Sequence, residues 1–343
     1  MSSEPVHEPV EGRQPLPPPL SGPTAPASRS APSNLLRQLH PRTWWPFAFA
    51  LIPLVITIAI VVTLLRASGF ENFGPSFWSF NVTENGVLVY VTGSFLTAVP
   101  ALLLAMLIGL GIAVASTTYL PRFVAAFLDP FVDLLAGIPS IVYGIWGFFV
   151  VAPFFGTNVF AWTAIHLAWI PGFAPTHNSS LPEIATGDGL ALAIIILVLM
   201  ILPITTLLMR DALLSVPRDL WESGLALGAT RWEVTRRVAI PYARRGVWGA
   251  AFLGFGRAIG ETVAVFMVIE QSAKLPTNVY AGTSTMASLI IGSIDSAMEL
   301  NPGGVMELHF LCELSLLLLA ITLAVNVVGR WMIRRTYTEV AGI

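Results

Sequence analysis

Between positions 247 and 269 the chain is apolar apart from two ionisable side chains, Arg257 and Glu261. Arg257 lies eleven residues beyond Gly246, ~16 Å along a helix and so near the middle of a ~30 Å hydrocarbon layer. An arginine there costs ~2.5–3.5 kcal/mol on insertion scales, so it should face the bundle interior with a partner. Its guanidinium is a planar fork matched to two oxygens of a tetrahedral oxyanion, and a dry site strengthens that bond. Glu261, four residues on and one helical turn away on the same face, can neutralise the site when it is empty. Gly256 and Gly260 beside the pair let a second helix approach closely. A plainer chemistry is also open, in which the two charges form a structural ion pair that fixes helix register.

A second group of informative residues lies at 210–246. Pro217 suits a first helical turn, and Asp219 and Glu222 follow where carboxylates favour the helix dipole. Leu227 closes this helix, and Gly228 is placed for a left-handed cap. Thr230 and Glu233 form a capping box that opens a second helix, which Pro241 terminates. Trp221 and Leu225, four apart, give the first helix an apolar face, and Leu220 with Gly224 adds a glycine notch.

Other candidate groups point to less. The five His, at 7, 40, 166, 177 and 309, and the single Cys312 show no metal-ligand spacing, so no metal site and no internal disulfide is expected. Lys274 is the one lysine and follows no glycine run, which excludes a phosphate loop of the G-x-x-x-x-G-K-[ST] type. No Ser, His and acid constellation suggests an enzyme. His309 and Glu313 read as a helix-end pair, and Asp129 and Asp133, flanking Pro130, as carboxylates at the start of a span.

The elements that position these residues must lie in a bilayer. Only 11% of the 343 residues are charged and 55% are hydrophobic, with a mean hydropathy of +0.74, more apolar surface than one soluble core can bury. Spans are expected at about 43–65, 87–118, 134–155, 189–209, 247–269 and 308–328. The second is long enough to bend at Pro100 or at Gly109 and Gly111. The fourteen residues at 157–170, with Trp162 and Trp169, are too few to cross and read as an interfacial helix. Residues 1–42 form a proline-rich tail expected to be disordered, 210–246 a loop, and 336–343 a short C-terminal tail. With six spans and the N-terminus inside, fifteen of the eighteen basic residues fall on the cytoplasmic side, as the positive-inside rule requires.

The stretch Glu222-Ser223-Gly224, three residues, Gly228, nine residues, then Val238-Ala239-Ile240-Pro241 resembles the EAA motif of ABC-importer permeases, with Ser223 and Gly224 replacing two alanines. Gly256-Arg257-Ala258-Ile259-Gly260-Glu261-Thr262 is similar to the GRAxGET signature of the phosphate-specific permeases of that family. Ala136-Gly137-Ile138-Pro139-Ser140-Ile141-Val142-Tyr143-Gly144 resembles their AGIPSxVYG segment, and Trp146 and Pro153 lean towards the PstC-like branch. The resemblance runs from about Trp44 to Arg335. It implies an all-α integral membrane protein of the type I ABC-importer permease fold, with a two-helix cytoplasmic coupling loop. It also implies a substrate pathway containing Arg257, Glu261, Thr262 and Ser140, and ATPase coupling through Glu222, Gly228, Trp221, Leu225 and Pro241. The implied partners are a PstA-like second permease, two PstB-like ATPase subunits that hold ATP and Mg, and an external PstS-like phosphate-binding protein. No cofactor is expected on this chain. A sulfate or molybdate permease is the alternative in the same class, since a guanidinium fork does not choose among tetrahedral oxyanions. A self-sufficient secondary transporter would need internal repeats, and none is evident.

Overall fold

A computed structural model describes residues 44–69, 74, 77–80, 86–175, 184, 186–298 and 302–338. The tail at 1–42 and the last residues of the C-terminal tail, 339–343, lie outside the described residues. The chain divides into two units, 1–57 and 58–343. Among the described residues all regular structure is helical.

Helix α1, Trp44–Ser68, crosses from one unit into the other. Its side chains from Leu51 to Ile60 are exposed, and its window Leu51–Ser68 is apolar enough to span a membrane.

The core of the second unit is the pairing of α2 (Leu88–Tyr119) with α5 (Leu190–Leu214). Every fourth residue of α2 is small and buried: Gly93, Thr97, Ala101, Ala105, Gly109 and Ala113. This stripe lets two backbones approach, the usual route to tight helix pairs where lipid supplies no hydrophobic drive between helices. At Gly109 a Cβ would stand 3.0 Å from Thr206 Oγ1 of α5, whereas at Gly111 it would meet nothing within 4 Å. Helix α5 is buried on several sides through Leu192, Ile196, Leu197 and Ile201, as a helix at the centre of a bundle must be. Its first backbone donors are satisfied from outside the helix: Leu190 N–H by Ala281 C=O (3.2 Å) and Ala191 N–H by Val279 C=O (2.7 Å).

Several boundaries differ from the sequence reading. Residues 134–136 do not begin a span; they end α3 (Arg122–Ala136), an amphipathic helix that carries Asp129, Pro130 and Asp133 in its interior. The two Asp therefore do not sit at a helix start. The span begins at Ser140 and runs to His166 as α4, absorbing most of the supposed interfacial segment. Wide π turns at Gly147–Val151 and Gly156–Phe160 keep the path helical past Pro153. Helix α2 stays continuous through Pro100 and opens into a π turn only at Ala115–Tyr119.

After α5 come the short helices α6 (Arg218–Ala226) and α7 (Arg231–Val234). Pro241 does not terminate the second of these. A π turn at Thr235–Ala239 joins α7 to α8 (Ile240–Ile259), with Pro241 in the first turn of α8, where its missing N–H is easily accommodated. The expected span 247–269 is split into α8 and α9 (Val263–Val268) by a break at 260–262. The described helices end with α10 (Met286–Gly292), α11 (Ile294–Ala297) and α12 (Pro302–Thr338). Among the described residues five helices are long and apolar enough to cross a membrane. The charged helix α8 lies against α2, α5 and α12 and supplies the sixth membrane element of the fold.

Candidate functional site

The break that splits α8 from α9 follows from its residues. Gly260 closes α8, its N–H donating to Gly256 C=O at 3.2 Å, and the hydroxyl of Thr262 donates to Gly260 C=O at 3.2 Å. Glu261 then turns inward and accepts from Ala264 N–H at 3.4 Å, a long bond at the first turn of α9. Its carboxylate sits near the positive end of that helix, where an anion is favoured. Arg257 occupies the opposite kind of position, the last turn of α8, where a cation is favoured.

The break removes the i, i+4 relation on which the Arg257–Glu261 pair depended. Glu261 is buried and Arg257 exposed, and no ion pair within 4.0 Å joins them among the described residues. The guanidinium is therefore not consumed by an internal partner. Two chain segments 120 residues apart meet here. The first turns of α4 pack on α9, and a Cβ at Gly144 would stand 3.1 Å from Ala264 Cα and 3.0 Å from Met267 Sδ. Tyr143 of α4 is within electrostatic reach of Arg257, and its hydroxyl donates to Leu135 C=O at 2.9 Å, tying α4 to the end of α3. Ser140, the first residue of α4, and Thr262 are both half-buried at this junction of the two motifs.

The 210–246 loop has the caps its sequence announces. Gly228 has φ +84°, donates to Leu225 C=O at 3.0 Å, and is followed by Ala229 N–H donating to Gly224 C=O at 3.3 Å. These two bonds are a Schellman cap, which needs a residue at ease with positive φ. The capping box is present in both directions, Glu233 N–H to Thr230 Oγ1 (3.3 Å) and Thr230 N–H to Glu233 Oε2 (2.8 Å). These bonds, backbone first, pull the Glu233 carboxyl below its ordinary range. The Gly224 notch receives Val234 of α7, whose Cγ2 would lie 2.9 Å from a Cβ there. Trp221 is half-buried and packs on the apolar cluster formed by the ends of α2, α5 and α8. Glu222, Leu225 and Pro241 are exposed.

Two features escaped the sequence reading. Leu227, assigned there only as a helix end, is 89% exposed, with Trp232 exposed beyond the turn. A surface leucine has no sequence signature that separates it from a buried one. The second feature is a hydroxyl network behind α9: Ser284 Oγ donates to Gln271 Oε1 (3.0 Å), and Ser94 Oγ accepts from Met286 N–H (2.9 Å). Glu313, expected at a helix end with His309, is instead fully buried within α12, while His309 is half-buried. Among the described residues no three His, Cys, Asp or Glu converge as metal ligands.

Residues 105–338 match the family described as binding-protein-dependent transport system inner membrane components. The chain belongs to that family. It is 36% identical over 295 residues to the "Phosphate transport system permease protein PstC" of Mesorhizobium japonicum, covering 84% of this chain and 88% of that one. The protein of the same name from Haemophilus influenzae is 35% identical, with 84% and 90% covered. A "PstC 2" from Mycobacterium bovis is 40% identical over 210 residues, 61% of this chain and 63% of that one. Among solved structures, a bacterial alginate ABC transporter in complex with its pentasaccharide-bound periplasmic protein superimposes with a TM-score of 0.59, at 15% identity, over 88% of this chain and 98% of that one. At that identity the likeness speaks for fold alone. The chain is a multi-pass membrane permease subunit of the ABC-importer fold.

Proposed function

We propose that this chain is the transmembrane permease subunit of an ATP-driven phosphate importer and forms half of its translocation pathway. The observation that carries the reading is Arg257, a guanidinium in the last turn of α8 that has no internal carboxylate partner within 4.0 Å among the described residues. Its two motif segments match those of phosphate-specific permeases, and its relatives bear the name of a phosphate transport system. The fork of Arg257 binds two phosphate oxygens, and the hydroxyls of Thr262 and Ser140 line the path beside it. Glu261, held at the start of α9, repels the anion and limits its residence. Because α8 and α9 are separate helices, a movement of α8 shifts Arg257 relative to Glu261 and opens the site to one side or the other.

That movement comes from outside the chain. ATP and Mg are held and ATP is hydrolysed in two PstB-like partner chains, a PstA-like permease supplies the other half of the pathway, and a PstS-like protein delivers phosphate to the outer face. Both termini and the 210–246 loop lie in the cytoplasm. There Glu222 and the exposed Leu227 dock on the ATPase, with Gly228 making the turn, Trp221 anchoring α6 to the bundle and Leu225 beside it on the same helix face. The thrust passes through the continuous α7–α8 path, past Pro241, to Arg257.

The test is uptake of radiolabelled phosphate by cells whose only high-affinity importer contains this chain, with sulfate and molybdate as competitors. The expected result is ATP-dependent uptake suppressed by unlabelled phosphate and not by a tenfold excess of the other two anions. Uptake abolished by sulfate or molybdate at that ratio reassigns the substrate.

A further inference from the structure

At the end of the bundle that carries the 210–246 loop, α6 does not lie flush on the helices beneath it. Trp221 reaches the bundle, and beside it an open cavity of about 410 Å³ lies between α6 and the helices beneath. Arg218, Trp221 and Leu225 of α6 form one wall, spaced three and four residues apart and so on one helix face. Arg231 of α7 forms a second wall, and Thr117 and Thr118, in the π turn of α2, form the floor.

The charge of this cavity is one-sided. Two guanidinium groups line it and no carboxylate does. Neither Arg218 nor Arg231 has an ion-pair partner within 4.0 Å among the described residues. The carboxylate closest to Arg231 in sequence, Glu233, is occupied by the N–H and hydroxyl of Thr230, at 2.8 and 2.9 Å. Two like charges facing one space repel each other, and an anion between them turns that repulsion into two charge-assisted hydrogen bonds. The rest of the lining is the indole of Trp221 and the aliphatic side chains of Leu213, Leu214, Val216 and Leu225, so the cavity is amphipathic. The π turn contributes hydroxyls as well: Thr117 Oγ1 donates to Ala113 C=O at 2.8 Å and lies 3.4 Å from Thr118 Oγ1, and each oxygen keeps lone pairs and a rotatable neighbour facing the space.

We propose that this cavity is a second anion site, which takes a phosphate group between Arg218 and Arg231 and rests the remainder of the ligand on Trp221 and Leu225. The ligand chemistry is a phosphate, free or esterified. It has two sources at this position, inorganic phosphate from the cytosol and the headgroup of an anionic phospholipid at the membrane edge, where basic clusters attract such lipids. Because the cavity underlies α6, its occupant sets the height of α6 above the bundle. That consequence for transport rests on the coupling role proposed for α6, whereas binding itself does not.

The experiment uses the full chain purified with its copurifying subunits and carrying Arg257→Met, so that the pathway arginine contributes no binding. One arm measures radiolabelled inorganic phosphate by equilibrium dialysis at low salt. The other measures retained phosphatidylglycerol by native mass spectrometry after exchange into phosphatidylglycerol or phosphatidylcholine nanodiscs. In either arm, Arg218→Gln with Arg231→Gln should weaken binding about a hundredfold, since each charge-assisted bond is worth roughly tenfold. Thr118→Trp, which fills the cavity without changing charge, should do the same and covers the case in which the arginine variant fails to elute as a monodisperse complex. Arg236→Gln with Arg244→Gln, exposed arginines outside the cavity, should leave binding within twofold. Loss in the phosphate arm identifies a cytosolic ligand and loss in the lipid arm a headgroup. Absence of binding in both arms, or equal loss in the Arg236/Arg244 control, overturns the site. Failure of the chain with Arg257 restored to import phosphate, with cavity binding intact, would instead count against the pathway reading alone.

Discussion

At the scale of single residues, Arg257 and Glu261 stand on either side of the break at Gly260. Arg257, Glu261, Thr262 and Ser140 all stand at the junction of α4, α8 and α9, but the ion pair assumed between the first two is absent because Gly260 ends the helix that would have aligned them. Propensity alone could not decide this, since glycine is common in membrane helices and tolerated within them. Gly228 is the opposite case. Its place after Leu227 and before a capping box announces a positive φ, and +84° is what the chain adopts. A Cβ there would touch nothing within 4 Å, so the obstacle to substitution is conformational. A β-branched residue forced into this region costs about 1–3 kcal/mol, while asparagine accepts it readily. Gly228→Asn should therefore keep phosphate uptake within about twofold, and Gly228→Val should lower it at least tenfold at equal membrane abundance. Equal uptake by the two variants would show that the cap does not control coupling.

At the scale of elements, the apolar spans were legible because length and lack of charge are read directly from the chain. The boundaries that moved have separate causes. Pro241 looks like a helix end, yet the π turn at Thr235–Ala239 just before it lets the helical path continue. Segment 134–136 looked like the start of a span only because α3 has no charge after Asp133. The α2–α5 interface offers a controlled test of the packing argument. Gly109 and Gly111 are two residues apart on α2, one with Thr206 Oγ1 3.0 Å from a Cβ position and one with open space. Gly109→Leu should overpack the interface by about 1–3 kcal/mol and lower the thermal midpoint of the detergent-solubilised chain by several degrees. Gly111→Leu should leave that midpoint unchanged. A comparable loss in both variants would mean that the close approach at Gly109 does not set the stability.

At the scale of the whole molecule, function depends on parts that one chain does not contain. The chain belongs to a family of binding-protein-dependent transport components, and on the function proposed above the energy for import comes from ATPase partner subunits. In the proposed function Arg257 is the substrate ligand of the translocation pathway and Glu261 is not its structural partner. The most direct measurement is ATP-driven phosphate uptake into proteoliposomes holding the assembled transporter, comparing the unchanged chain with Arg257→Lys and with Arg257→Met plus Glu261→Gln. Lysine keeps the charge and loses the fork, so uptake should fall at least tenfold. The double variant, neutral and close in volume, should assemble with its partners and transport nothing measurable. Near-normal uptake by the assembled double variant would contradict the account and leave Arg257 a structural residue.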